Sequence, residues 1–181
     1  MPSLQLDTAI ELARADDYPN AIEQLSLLID RGQGEEDDIT ARRWRSVCYG
    51  QSGRMKEALT DANWLIDHGC VELHAWRGYL RERLREYDGA ITDYSYAIAD
   101  DADKAPAAQY DLYLKRGHVY FAIKRYADAL SDFTTAISFT DQAAELEAVH
   151  IWRGNTYIEL GDRKAAAQAF KLAQAIANDK E

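Results

Sequence analysis

Cysteine is scarce in this chain. Cys48 and Cys70 are the only two among 181 residues. They cannot supply the disulfide framework of a small secreted domain, so reduced thiols and a cytoplasmic location are expected. Proline is almost as rare, with three residues, which leaves long stretches free to be helical. No apolar run approaches the ~20 residues of a membrane-spanning helix. The opening MPSLQLDTAIELA has no basic start and no uninterrupted apolar stretch, so it does not read as a signal peptide. Positive charge is also in deficit: 21 Lys and Arg face 31 Asp and Glu, a net charge of −10. An acidic field of this size repels phosphate backbones and anionic lipids, so neither nucleic acid nor a membrane surface is an expected partner. The two arginine clusters, Arg42–Arg43–Arg45 and Arg81–Arg83–Arg85, are short and flanked by acidic residues.

The motifs of chemistry are missing too. His68, His74, His118 and His150 form no H-x-x-x-H pair, and the cysteines complete no metal spacing, so no metal and no cofactor are expected. There is no glycine-rich phosphate loop and no nucleophile elbow, so no residue is expected to be catalytic and the chain does not read as an enzyme. The acidic runs Glu35–Asp38 and Asp100, Asp101, Asp103 suit helix starts, where negative charge complements the dipole, and lack the alternation of a calcium loop. Cys48 reads as a small core residue and Cys70 as part of a connection.

What the sequence has is repetition. Hydrophobic residues make up 47%, too many for a disordered chain. Five segments align: one opens at TAIELARADDY, and four begin RWRSVCYG, AWRGYLRE, LKRGHVYF and IWRGNTYI. Each has a small residue (Ala9, Ser46, Gly78, Gly117, Gly154) and an alanine twelve residues later (Ala21, Ala58, Ala90, Ala129, Ala166). Four residues further stand Leu25, Ala62, Tyr94, Phe133 and Phe170. Apolar residues recur at helical period on both sides of a short turn, so each copy is predicted to be two helices. The small residues predict close helix crossings, because a glycine inside a helix costs up to ~1 kcal/mol and three copies accept it at one register.

This register resembles the tetratricopeptide repeat. The first-helix glycine, the tyrosine after it (Tyr49, Tyr120, Tyr157), the second-helix alanine and the following aromatic all match, over nearly the whole chain. The resemblance implies an all-α fold, a right-handed α-solenoid of five helix-turn-helix repeats, near residues 2–34, 39–69, 71–103, 110–142 and 147–179. It also implies binding of a polypeptide rather than catalysis. Successive copies are offset by 37, 32, 39 and 37 residues, against the usual ~34. Extra helical turns or longer loops at 31–38, 100–106 and 140–145 are expected to absorb the difference.

Arginine precedes the small residue in four copies: Arg45, Arg77, Arg116 and Arg153. Asp61, Asp93 and Asp132 follow the first three by sixteen residues, whereas Arg153 has Ala169 there and the first copy has Thr8 and Gln24. Internal ion pairs between helices are the expectation, with Arg153 reaching back to Asp132. A ladder of arginines for an acidic ligand is the alternative.

Stacked helical hairpins generate a concave face, and the resemblance implies that first helices line it. The residues left over for it are Arg43, Val47 and Gln51; Ala75, Tyr79 and Glu82; Leu114, His118 and Phe121; and Ile151, Asn155 and Ile158. Leu114, Phe121, Ile151 and Ile158 form an apolar strip, and Trp44, Trp76 and Trp152 lie beside it at equivalent places. An exposed apolar strip points to a protein or peptide partner, apolar or amphipathic. Burial of the strip by curvature is the plainer reading. The clamp for a C-terminal carboxylate that the resemblance would imply needs lysines and asparagines, and this face has only Arg43 and Asn155, far apart in sequence. Self-assembly into a homo-oligomer through the terminal repeats is the other interaction mode open to such a chain.

Overall fold

The structure is a computed structural model that describes residues 4–32, 34–100 and 105–179. Among these are ten α-helices, one 3-10 turn and no strand. The helices are α1 (Leu4–Arg14), α2 (Tyr18–Arg31), α3 (Glu35–Gln51), α4 (Met55–Asp67), α5 (His74–Arg83), α6 (Tyr87–Asp100), α7 (Pro106–Ala122), α8 (Tyr126–Ile137), α9 (Ala143–Glu159) and α10 (Arg163–Asn178). Asp101 and Asp103, the centre of the expected 100–106 loop, and the outer ends of the expected repeats 2–34 and 71–103 lie outside the described residues.

The chain divides into two compact units, residues 1–86 and 87–181. In the first, Leu6, Ala9, Ile10 and Ala13 of α1 meet Ala21, Ile22, Leu25 and Leu28 of α2 and Ala41 and Cys48 of α3. A second cluster joins Ala58 and Ala62 of α4 to Leu80 of α5, with Trp76 and Tyr79 packed against it. In the other unit Tyr110, Ala129, Phe133, Ala136 and Val149 form the core across α7, α8 and α9. Each fully buried leucine or phenylalanine here contributes about 1.5–3 kcal/mol of hydrophobic stabilisation.

The uneven repeat spacing has one main cause. First helices α3, α7 and α9 each run for 17 residues, whereas α5 has 10 and α1 has 11. The extra residues are therefore mainly additional helical turns at the start of the first helix. The 32-residue interval ends at the short α5.

All five first helices end in the same turn. The seventh residue after the small position is left-handed in every copy: Asp16 (φ 60°), Gly53 (φ 75°), Arg85 (φ 64°), Lys124 (φ 63°) and Gly161 (φ 81°). The N–H of the next residue reaches five residues back, from Asp17 to Leu12 O, Arg54 to Tyr49 O, Glu86 to Arg81 O, Arg125 to Tyr120 O and Asp162 to Tyr157 O. This is a Schellman cap, which satisfies carbonyls a helix end would leave unpaired. Three copies adopt it without glycine, against a steric cost of about 1–2 kcal/mol.

The small residues face rings. A Cβ on Gly117 would stand 2.7 Å from Phe133 Cε1, and one on Gly154 2.5 Å from Phe170 Cε1. At the same register Ser46 donates its hydroxyl to Ala58 O across the helix crossing at 2.8 Å. Gly78 and Ala90, the corresponding pair of the third copy, fall in different units.

Candidate functional site

Two faces of the hairpins carry the functional candidates. On one, Arg45, Arg77 and Arg116 lie between consecutive hairpins. Arg45 donates from Nε and Nη2 to the two carboxylate oxygens of Asp61, at 2.8 and 2.7 Å, and from Nη1 to Ser26 Oγ at 3.0 Å. Arg116 repeats the arrangement with Asp132 at 2.8 Å twice and Ser95 Oγ at 2.9 Å. The expected ion pairs are present in these two hairpins. Asp61 and Asp132 are buried, at 1% and 4% exposed. Burial opposes the Arg45 charge, but the Asp61 hydrogen bonds and charge outweigh it and raise its pKa; the Asp132 hydrogen bond is the leading cause for Arg116. Bidentate pairs of this kind are the strong form of the interaction. Arg77, whose expected partner Asp93 belongs to the other unit, donates Nη1 to Asn63 Oδ1 at 3.3 Å.

Ser26, Asn63 and Ser95 each stand five residues after the second-helix alanine of the preceding copy. Each arginine thus ties its own hairpin to the one before it. The sequence reading missed this second arm, although the shared register signals it. It also missed Arg42, which lies over the Trp64 ring at 4.3 Å and donates to Asp61 at 3.3 Å.

Arg153 departs from the pattern. Among the described residues it meets no carboxylate, so the expected reach to Asp132 does not occur; the oxygens of Asp132 are taken by Arg116. Its Nε is buried without a hydrogen-bond partner. Beside it, Tyr157, Ala165, Gln168, Ala169 and Leu172 complete the lining of a cavity of about 140 Å³ between α9 and α10.

The other face holds the apolar candidates. In the first unit Arg43 pairs with Glu72, Gln51 is exposed, and Val47, Ala75, Tyr79 and Glu82 are half-buried. Tyr79 stacks on Trp76 at 5.5 Å. Trp76 itself lies against Gly50, where a Cβ would stand 2.6 Å from its ring, and donates Nε1 to Ser46 Oγ at 2.8 Å.

In the second unit Leu114, His118 and Phe121 share one face of α7, and Ile151, Asn155 and Ile158 one face of α9. Trp152 joins the two helices. Its ring lies 4.4 Å from His118, 5.5 Å from Phe121 and 5.9 Å from Phe133. Leu114 and Phe121 therefore pack partly into the core, while Ile151 and Ile158 are 41% and 53% exposed. Burial pushes the His118 imidazole down to about 4, with Lys115 adding in the same direction, so the ring is neutral near pH 7. His150 is also lowered by burial and then by Arg153.

No group of three metal-ligating side chains occurs among the described residues, and no described helix is long and apolar enough to cross a membrane. Cys48 is buried, and burial raises its thiol pKa, which makes it a poor nucleophile.

Repeated hairpins, small residues at ring-filled crossings and a shared Schellman turn define the tetratricopeptide-repeat class. Residues 110–142 and 148–180 match the family description "Tetratricopeptide repeat", so these two repeats are present in the second unit. Among solved structures, "Crystal structure of MamA protein" is 18% identical, covers 98% of this chain and 92% of its own, and has a TM-score of 0.85. "MamA MSR-1 C2" is 16% identical over 98% and 97%, with a TM-score of 0.80. BtubC (BKLC) from P. vanneervenii is 16% identical over 95% and 78%, with a TM-score of 0.79. At these identities the likeness shows the fold, an all-α tetratricopeptide-type solenoid. No curated protein matches the sequence.

Proposed function

We propose that this chain is a non-catalytic protein-interaction scaffold that takes an apolar or amphipathic polypeptide segment on the first-helix side of its second unit. Ile151 and Ile158 carry the reading. They are two turns apart on one face of α9 and 41% and 53% exposed, and Ile151 adjoins Trp152, whose ring packs against Phe121. Such a strip fits the i, i+3/i+4, i+7 anchors of an amphipathic helix. Arg43, Val47, Gln51, Tyr79 and Glu82 give the first unit a more polar first-helix side of its own. Asn155, between the two isoleucines, supplies a polar group for orientation.

Panning a displayed peptide library against the folded protein tests this. Enriched peptides should carry apolar residues at helical spacing and lose binding to an Ile151→Lys/Ile158→Lys variant. Undiminished binding by that variant would overturn the proposal. A second reading, self-association, rests on Leu160 and Leu172 of the fifth hairpin, 45% and 44% exposed. Light scattering over a concentration series decides it, and a mass fixed at one chain would count against it.

A further inference from the structure

Arg153 stands where Arg45 and Arg116 stand in their hairpins, and Ala169 stands where Asp61 and Asp132 stand. In hairpins 2 and 4 the guanidinium Nε and Nη2 hold a carboxylate at 2.7–2.8 Å. In hairpin 5 the same Nε is buried and meets no partner, beside a cavity of about 140 Å³ with Ala169 in its wall. Hairpin 1 has the equivalent cavity, about 170 Å³ and lined in part by Thr8 and Gln24, which replace the cation and the anion together. Hairpin 5 alone keeps the cation and omits the anion. A buried guanidinium nitrogen without an acceptor is costly, which a bound anion would relieve.

We propose that this cavity is a binding site for a carboxylate, held in the fork of Arg153 as Asp61 is held by Arg45. The planar two-donor geometry suits a carboxylate. Tyr157 and Gln168 add further hydrogen-bonding groups to its lining. Gln168 and Leu172 are exposed, so a ligand can enter from solvent. The site lies on the side of α9 opposite Ile151 and Ile158 and does not depend on the apolar reading above.

The test follows the Nε–H resonance of Arg153 by NMR, assigned by its loss in Arg153→Lys, during titration with sodium acetate against sodium chloride of equal ionic strength. A saturable shift is expected, with half-saturation on the order of tens of millimolar, the strength of one charge-assisted pair. The Nε–H signals of Arg45 and Arg116 should stay still. Ala169→Asp should abolish the response by filling the site from within. If that variant does not fold, the melting temperature serves instead: acetate should raise it above the chloride control in the natural chain and not in Arg153→Lys.

A capped peptide bearing one aspartate, with an asparagine twin as control, separates the sources. Tighter binding than acetate assigns the site to a partner's acidic side chain; equal or weaker binding assigns it to a free small carboxylate. A response identical in acetate and chloride, or an acetate effect that survives both Ala169→Asp and Arg153→Lys, would overturn the proposal.

Discussion

Changing Asp61 to asparagine gives a direct measure of what one ion pair between the two helices of a hairpin is worth. Asp61 is 1% exposed and accepts three guanidinium donors, two from Arg45 and one from Arg42. Breaking a buried ion pair on one side costs about 3–5 kcal/mol, because the remaining charge stays desolvated. The Arg45 side chain is 14% exposed and can recruit some water, which places Asp61→Asn near the lower end, at about 3 kcal/mol. Arg45→Met keeps most of the stem and removes the cation, leaving Asp61 with Arg42 alone, for a loss of about 3–4 kcal/mol. The double variant removes both charges and should cost much less than the sum, with a coupling of about 2–3 kcal/mol. Urea unfolding followed by tryptophan fluorescence suits the measurement, since Trp44, Trp64 and Trp76 all report on the first unit. Losses that add to within about 0.5 kcal/mol would show that Arg45 and Asp61 are neighbours without being coupled, and would refute the reasoning.

Three further outcomes are expected. Gly117→Ala should destabilise by about 1–3 kcal/mol despite the better helix propensity of alanine, because its Cβ meets the fully buried Phe133 ring, whereas Gly154→Ala should cost less because Phe170 is only half-buried and can move; equal effects in thermal unfolding would contradict this. Lys124→Gly and Arg85→Gly should each stabilise by about 0.5–1 kcal/mol, since both residues sit at positive φ; a lower melting temperature would argue that their side chains contribute more than the backbone strain takes away. Stability should fall as pH drops below about 6.5, where an unfolded His118 gains a proton that the folded one, with its pKa of about 4, refuses; between pH 7 and pH 5 the loss is about 2 kcal/mol, with His150 acting in the same direction. Urea midpoints at the two pH values check it, and a His118→Leu variant should show a flatter profile.

The hairpin fold was legible because its determinants are short-range. A small residue, an alanine twelve later and an aromatic four beyond that mark a helix crossing wherever they recur. The Arg45–Asp61 and Arg116–Asp132 ties were legible for the same reason, since a fixed offset of sixteen joins two helices across one turn. The left-handed residue was harder to read. Only Gly53 and Gly161 signal it, while Asp16, Arg85 and Lys124 adopt it with residues that do not favour positive φ in isolation. The apolar strip was legible as a list but not as a surface. Sequence places Phe121 and Ile158 at one register, yet Phe121 has Trp152 of the following hairpin against it and Ile158 is open. Gly50, again at that register, accepts Trp76 through the absence of a side chain, which no pattern within a single copy reveals.

The ties within the hairpins are also unequal, and this sets an order of opening. Hairpins 2 and 4 hold a bidentate carboxylate across their helices; hairpins 1 and 5 do not. In an array whose energetics are local, each hairpin opens with its own free energy. Amide protons of α9 and α10 should therefore exchange with solvent sooner than those of α7 and α8. Such a chain can loosen its fifth hairpin while the neighbouring one keeps its shape, so opening at that end needs no global unfolding.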